Sequence, residues 1–245
     1  MVIKADMKMA DLVMHDIQLL AVIQRLEIPL GFRDKTVTDV CIENSVDIDF
    51  FLHIANAFHD HDLYPKEQFL IFKIEWIVNY LRNSHRCYVD HRIPMIEQQI
   101  IELEADIDKD KVPDLLLKYF REYINEFNGH IELEERIVFP YTLQLNEALT
   151  GKIQPLDFTS KYNDYKIDKY VDDHNDIEEK LFDLKNILIK YMPPPKNNCK
   201  YNTLIFELFR LEKDLQDHSD LEDKVLIPKV RLMEKEFNKL THAIK

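Results

Sequence analysis

Two histidine–glutamate pairs of identical spacing are the residues in this chain best suited to chemistry. His130 and Glu134 stand near the middle of the sequence, and His218 and Glu222 stand near its end. Residues four positions apart lie one turn apart on the same face of an α-helix. In each case that face also carries apolar residues, so the pair is expected to be buried. An imidazole and a carboxylate buried together on each of two helices indicate a metal site.

Two further helical segments each carry one histidine on their apolar stripe, His85 and His174. Burying a neutral polar group without a partner costs about 2–7 kcal/mol, and burying an ion costs more. Several such groups together would exceed the roughly 5–15 kcal/mol by which a domain is stable. The pattern therefore predicts one shared metal site with six ligands: His85, His130, Glu134, His174, His218 and Glu222.

Two neighbouring residues are alternatives to members of this set. His91 follows His85 closely but lies outside the apolar stripe, so His85 is the favoured ligand. Glu178 forms a third pair of the same spacing with His174, but the stripe passes beside it. Glu178 is therefore expected either to face solvent or to hold a ligating imidazole.

The composition of the ligand set indicates which metal it would hold. Four nitrogens and two carboxylates suit first-row transition ions. A structural zinc ion takes four ligands, and ferritin-type sites use a Glu-x-x-His motif with four carboxylates. Six ligands shared between two ions suit a dinuclear iron or manganese site. If both carboxylates bridge and an oxo or hydroxo group joins the irons, each keeps an open position for O2, NO or peroxide.

The elements that must hold these residues are helices. Only three glycines occur, whereas all-β folds need many tight turns and dinucleotide-binding folds need glycine-rich loops. Long segments with helical periodicity and short connections predict an all-α fold, an up-down-up-down four-helix bundle. We expect kinks or breaks at Pro140 and Pro228, and a polar connection over residues 151–166. The four predicted helices cover roughly residues 67–104, 112–146, 167–191 and 201–241.

A small helical module is expected before the bundle, which divides the chain into residues 1–65 and 66–245. Residues 10–26 have helical spacing, Thr36 is expected to cap the next helix, and another helix begins at Asp47. Acidic side chains outnumber basic ones in this module, so a DNA-reading helix pair is disfavoured.

Charge and cysteine content restrict the possible partners and compartment. The net charge of −13 repels nucleic acid and anionic membrane surfaces. The first residues show no apolar run typical of a signal peptide, and no apolar stretch reaches about 18 residues, so neither a signal peptide nor a membrane-spanning helix is expected. Cys41, Cys87 and Cys199 are far apart, which favours reduced thiols and a cytoplasmic protein.

Four segments around the candidate ligands resemble the hemerythrin/HHE cation-binding family. Within that family the chain is most similar to the iron–sulfur cluster repair di-iron proteins of the RIC or ScdA type. The similarity extends over nearly the whole chain, and the steps of 45 and 44 residues between paired histidines fit a repeat of helix pairs. The matching segments are NSHRCYVDHRIP, GHIELEERIVFP, VDDHNDIEEKL and DHSDLEDKVLIP.

The resemblance implies that the six residues bind a pair of iron ions in preference to manganese or zinc, and that the two glutamates bridge the irons. It also implies an N-terminal module with an adjacent cysteine pair, which this chain lacks: the corresponding stretch, residues 28–33, contains no cysteine. Thiol chemistry of that module is therefore not expected here.

Two classes of function remain open at this stage. One is a di-iron protein of the nitrosative or oxidative stress response, which binds NO, O2 or peroxide or supplies iron to damaged iron–sulfur proteins. The other is a gas-sensing, redox-sensing or iron-storage module that signals to a protein partner. Whether the protein is an enzyme is undecided, and a purely structural bundle is the third alternative.

Overall fold

The computed structural model describes residues 2–59, 69–106, 115–163, 165–173, 177–193 and 197–243. Over these ranges the chain is helical and contains no strand. The predicted all-α class is therefore confirmed. Each helix in the described ranges is too short or too polar to traverse a lipid bilayer.

Four short helices form the N-terminal part of the chain. Thr36 caps the third through a capping box with Asp39, as its position predicts. The predicted helix over residues 10–26 is instead two helices that are separated at Asp16–Gln18. The four helices are α1 (Met9–His15), α2 (Leu19–Arg25), α3 (Val37–Glu43) and α4 (Ile48–His59).

The bundle region contains long helical runs, three of which include a five-residue π-helical turn. The first run is α5 (Ile74–Cys87), π1 (Tyr88–Arg92) and α6 (Ile93–Asp106). The second is α7 (Leu115–Leu133), π2 (Glu134–Val138) and α8 (Phe139–Leu149). The third comprises α10 (Ile167–Asp173) and α11 (Ile177–Tyr191), and the last is α12 (Asn198–Leu221), π3 (Glu222–Leu226) and α13 (Ile227–Ala243).

The π turns explain how these helices tolerate proline. Proline cannot donate to the carbonyl four residues earlier, and its ring crowds that carbonyl. In π2 the N–H before Pro140, that of Phe139, donates instead to the Glu134 carbonyl, five residues back. Pro228 likewise follows π3. The helical runs therefore continue through both positions without the break that was expected, and a kink there stays a prediction.

Four helices close into a ring around one apolar core. In this ring α6 packs on α7, α7 on α11, α11 on α12 and α12 on α6. These contacts form the predicted four-helix bundle. The core comprises Tyr88, Ile93, Ile96, Ile100, Leu103, Leu116, Phe120, Tyr123, Phe127, Ile131, Leu181, Leu184, Leu188, Leu204, Leu208, Leu211 and Leu215.

Two further details of the predicted elements were wrong. The polar connection over residues 151–166 contains helix α9 (Pro155–Tyr162), which begins at a proline and buries Phe158. The first long helix begins at Ile74 rather than near residue 67, because residues 70–72 form a turn and a bend.

The chain divides into two compact units. One comprises residues 1–84 and 222–229, and the other comprises residues 85–221 and 230–245. The predicted domain boundary at residue 65 lies outside the described residues and stays a prediction.

Candidate metal centre

Four of the six predicted ligands converge. One ligand atom from each of His85, Glu134, His218 and Glu222 lies within 4.8 Å of the others. All four side chains are buried. Two imidazoles and two carboxylates gathered away from solvent form a donor set that suits a transition-metal ion.

The spacing of the donor atoms fits an ion. His85 Nε2 lies 2.9 Å from Glu134 Oε2 and 3.3 Å from His218 Nε2. An ion about 2.1 Å from each donor would hold neighbouring donors about 3.0–3.4 Å apart. Two imidazole Nε2 atoms that face each other at this distance are also positioned to share one ion.

The two carboxylate oxygens of Glu134 face different histidines. Oε2 faces His85, whereas Oε1 lies 2.7 Å from His130 Nε2. Oε1 also accepts a hydrogen bond from the Tyr170 hydroxyl. Burial would raise the pKa of Glu134, but the hydrogen bonds from His130 and His85 outweigh burial and hold that pKa well below its usual range.

His85 is held through its second ring nitrogen as well. Its Nδ1–H donates to Glu135 Oε1 at 2.9 Å, and its ring stacks on Phe139 at 5.4 Å between centroids. Burial alone would lower the pKa of His85, but the hydrogen bonds to Glu134 and Glu135 raise it. A carboxylate on the distal nitrogen is the usual way in which a ligating imidazole is oriented.

The π turns are located at these residues. π2 begins at Glu134 and π3 begins at Glu222, so each glutamate of the two sequence pairs is the first residue of a widened turn. In π1, which follows His85 by three residues, Ile93 N–H donates to the Tyr88 carbonyl. Single π turns inside α-helices are frequent at functional sites.

The remaining predicted residues have different outcomes. His130 contacts Glu134, but it is not one of the four residues whose ligand atoms converge. His174 and the side chain of Glu178 lie outside the described residues. His91, the alternative to His85, is exposed.

Sequence patterns missed two participants, Glu135 and Tyr170. Tyr170 is on the apolar stripe of its helix, a position that predicts a core aromatic residue. Glu135 lies next to Glu134, the carboxylate of the sequence pair. Both contact residues far away in the sequence, so no local spacing could identify them.

Residues 93–230, more than half of the chain, match the hemerythrin HHE cation binding domain. The matched segment contains His130, Glu134, His218 and Glu222, whereas His85 lies just before it. No curated protein matches the chain.

Proposed function

The chain belongs to the hemerythrin HHE cation-binding family, and we propose that it is a non-haem di-iron protein. Its ligands would be four histidines and two bridging carboxylates: His85, His130, Glu134, His174, His218 and Glu222. When bound, such an iron pair supplies open coordination positions for NO, O2 or peroxide.

The observation that carries this proposal is the orientation of Glu134. One oxygen faces His85 and the other faces His130, which is the arrangement that a carboxylate bridging two ions requires. His85 and His218 would serve one ion, because their Nε2 atoms lie 3.3 Å apart. His130 would serve the other ion, and His174 would complete it.

The surrounding residues of the chain orient and shield this donor set. Glu135 keeps His85 Nδ1 as a donor, which turns Nε2 toward Glu134 and His218. The Tyr170 hydroxyl donates to Glu134 Oε1 and so stabilises the negative charge on the oxygen that faces His130. Phe139 and Tyr88 pack against His85 and His218 respectively, which excludes water from the rings.

Two roles fit such a centre. The first is nitrosative or oxidative stress response or iron–sulfur cluster repair, which the similarity to RIC-type proteins favours. The second is a gas-sensing, redox-sensing or iron-storage module that acts on a protein partner. Cys41 favours the second role, because repair by thiol chemistry would need a reactive cysteine. Cys41 is buried, and burial raises the pKa of its thiol to about 11. A thiol with that pKa is a poor nucleophile at neutral pH. Either role would be performed in the cytoplasm.

The proposal is tested by metal content and absorption. Protein from iron-rich medium should contain about two irons per chain, absorb in the near-ultraviolet and change its spectrum when NO is added. His130→Ala should lower the iron content, whereas His91→Ala, which alters an exposed histidine, should leave it unchanged. Iron-free wild-type protein, or full occupancy in His130→Ala, would contradict the di-iron assignment.

Repair and sensing can be separated with the same protein. If it repairs clusters, the iron-loaded chain should restore activity to an oxidised iron–sulfur enzyme, and apoprotein should not. A sensing or storage module should bind NO or iron and leave that enzyme inactive.

A further inference from the structure

We propose that this chain also binds a small organic amine, in a cavity whose described lining residues include none of the six candidate metal ligands. The cavity has a volume of about 370 Å³, within the range of small-molecule sites. It is built from α8, α9, α13 and the segment before α10, all within the second compact unit. Its lining residues are Tyr141, Leu145, Pro155, Leu156, Phe158, Thr159, Asn163, Tyr165, Lys166, Glu234, Phe237, Asn238 and Thr241.

Aromatic rings make up much of the wall. Tyr141 contacts Phe158 at 5.4 Å and Tyr165 edge-to-face at 4.8 Å between ring centroids. Phe158 in turn contacts Phe237 at 4.9 Å. Ring faces attract cations through their quadrupole, and several rings around one space form the type of cage that binds organic ammonium groups.

A carboxylate is fixed among these rings. Glu234 Oε1 accepts a hydrogen bond from the Tyr141 hydroxyl at 2.7 Å and from the Ile167 N–H at 2.8 Å. Burial, and then the hydrogen bond to Glu234, raise the pKa of Tyr141, so its hydroxyl stays a donor. Both donors lie on the same oxygen, so within the described part of the chain Oε2 is left to accept from a ligand. A carboxylate held in advance loses little conformational freedom when it binds.

The backbone at the rim is strained. Asn163, which lines the cavity, has φ 45° and ψ −114°, outside the regions that non-glycine residues normally occupy. Strained residues are concentrated at ligand-binding segments, where the surrounding structure holds them. Leu156, also in the lining, keeps 78% of its surface exposed, an apolar residue that a bound molecule would cover.

The chemistry of the wall selects the ligand class. Aromatic faces and one carboxylate favour a cation with an apolar body, and the net charge of −13 attracts cations from solution. Among the described residues of the lining, Lys166 is the only basic one. It is exposed, so water screens its charge more than that of the half-buried Glu234.

Three probes of similar size test this assignment by calorimetry on the full chain: phenethylamine, 2-phenylethanol and phenylacetate. Phenethylamine should bind about tenfold more tightly than the neutral alcohol, and phenylacetate should not compete with it. Glu234→Gln should remove the preference for the amine.

A pair of matched variants locates the binding. Thr159 lines the cavity, and Thr203 on α12 does not; each is exposed and donates its hydroxyl to the carbonyl four residues earlier at 2.9 Å. Thr159→Trp should fill the cavity and abolish binding, whereas Thr203→Trp should not. Equal affinity for the amine and the alcohol, or amine binding that survives Thr159→Trp, would overturn the proposal. So would tighter binding of phenylacetate that is lost in Lys166→Gln.

Discussion

Glu135 should control the affinity of the metal centre although it is not itself a proposed ligand. Its carboxylate accepts from His85 Nδ1 at 2.9 Å. Removal of a carboxylate that orients a ligating histidine typically costs about 10–100-fold in metal affinity. The Glu135 side chain is 33% exposed, so water screens its charge and the lower end of that range applies. We therefore expect Glu135→Ala to weaken iron binding about tenfold, or about 1.4 kcal/mol.

The assay is an anaerobic titration of ferrous iron against a chelator of known affinity. Glu132→Ala is the matched control, because Glu132 lies in the same helical run and forms only an exposed pair with Arg136 in the described structure. It should bind iron like the wild type. Circular dichroism would establish that both variants fold. A Glu135→Ala affinity within twofold of wild type, or an equal loss in Glu132→Ala, would refute the reasoning.

Three further predictions concern stability and thiol reactivity. Thr36→Ala should lower the free energy of unfolding by about 1 kcal/mol in a urea titration, because it removes the capping box with Asp39; an unchanged midpoint would contradict this. Leu208→Ala should lower the free energy of unfolding by about 2–5 kcal/mol in the same titration, since Leu208 is fully buried in the bundle core. A loss below about 1 kcal/mol would contradict this and show that the core closes around the space left by the removed side chain. At pH 8 a thiol reagent should modify the exposed Cys199 quickly and Cys41 only after unfolding, because burial and the charge of Asp47 raise the pKa of Cys41 to about 11; rapid modification of both in the folded protein would be the contrary result.

The sequence by itself determined the features that depend on neighbours along one helix. The 3.6-residue period places His218 and Glu222 one turn apart wherever that helix packs. The capping residue Thr36 acts within three positions of itself, so its role is equally local. The apolar stripes indicate which side of each helix is buried, and this was enough to predict the bundle and the burial of His85, Glu134, His218 and Glu222.

The tertiary structure alone decided which atoms meet across helices. His85 reaches Glu135 over 50 residues of sequence, and Tyr170 reaches Glu134 over 36. Such contacts depend on how two helices are rotated and shifted against each other. The apolar stripe of one helix does not determine that rotation or shift. The π turns were also beyond sequence patterns: a proline indicates that a hydrogen bond is lost, but packing decides whether the helix breaks or widens. At Glu134 the helix widens, and that turn begins at the residue that faces both His85 and His130.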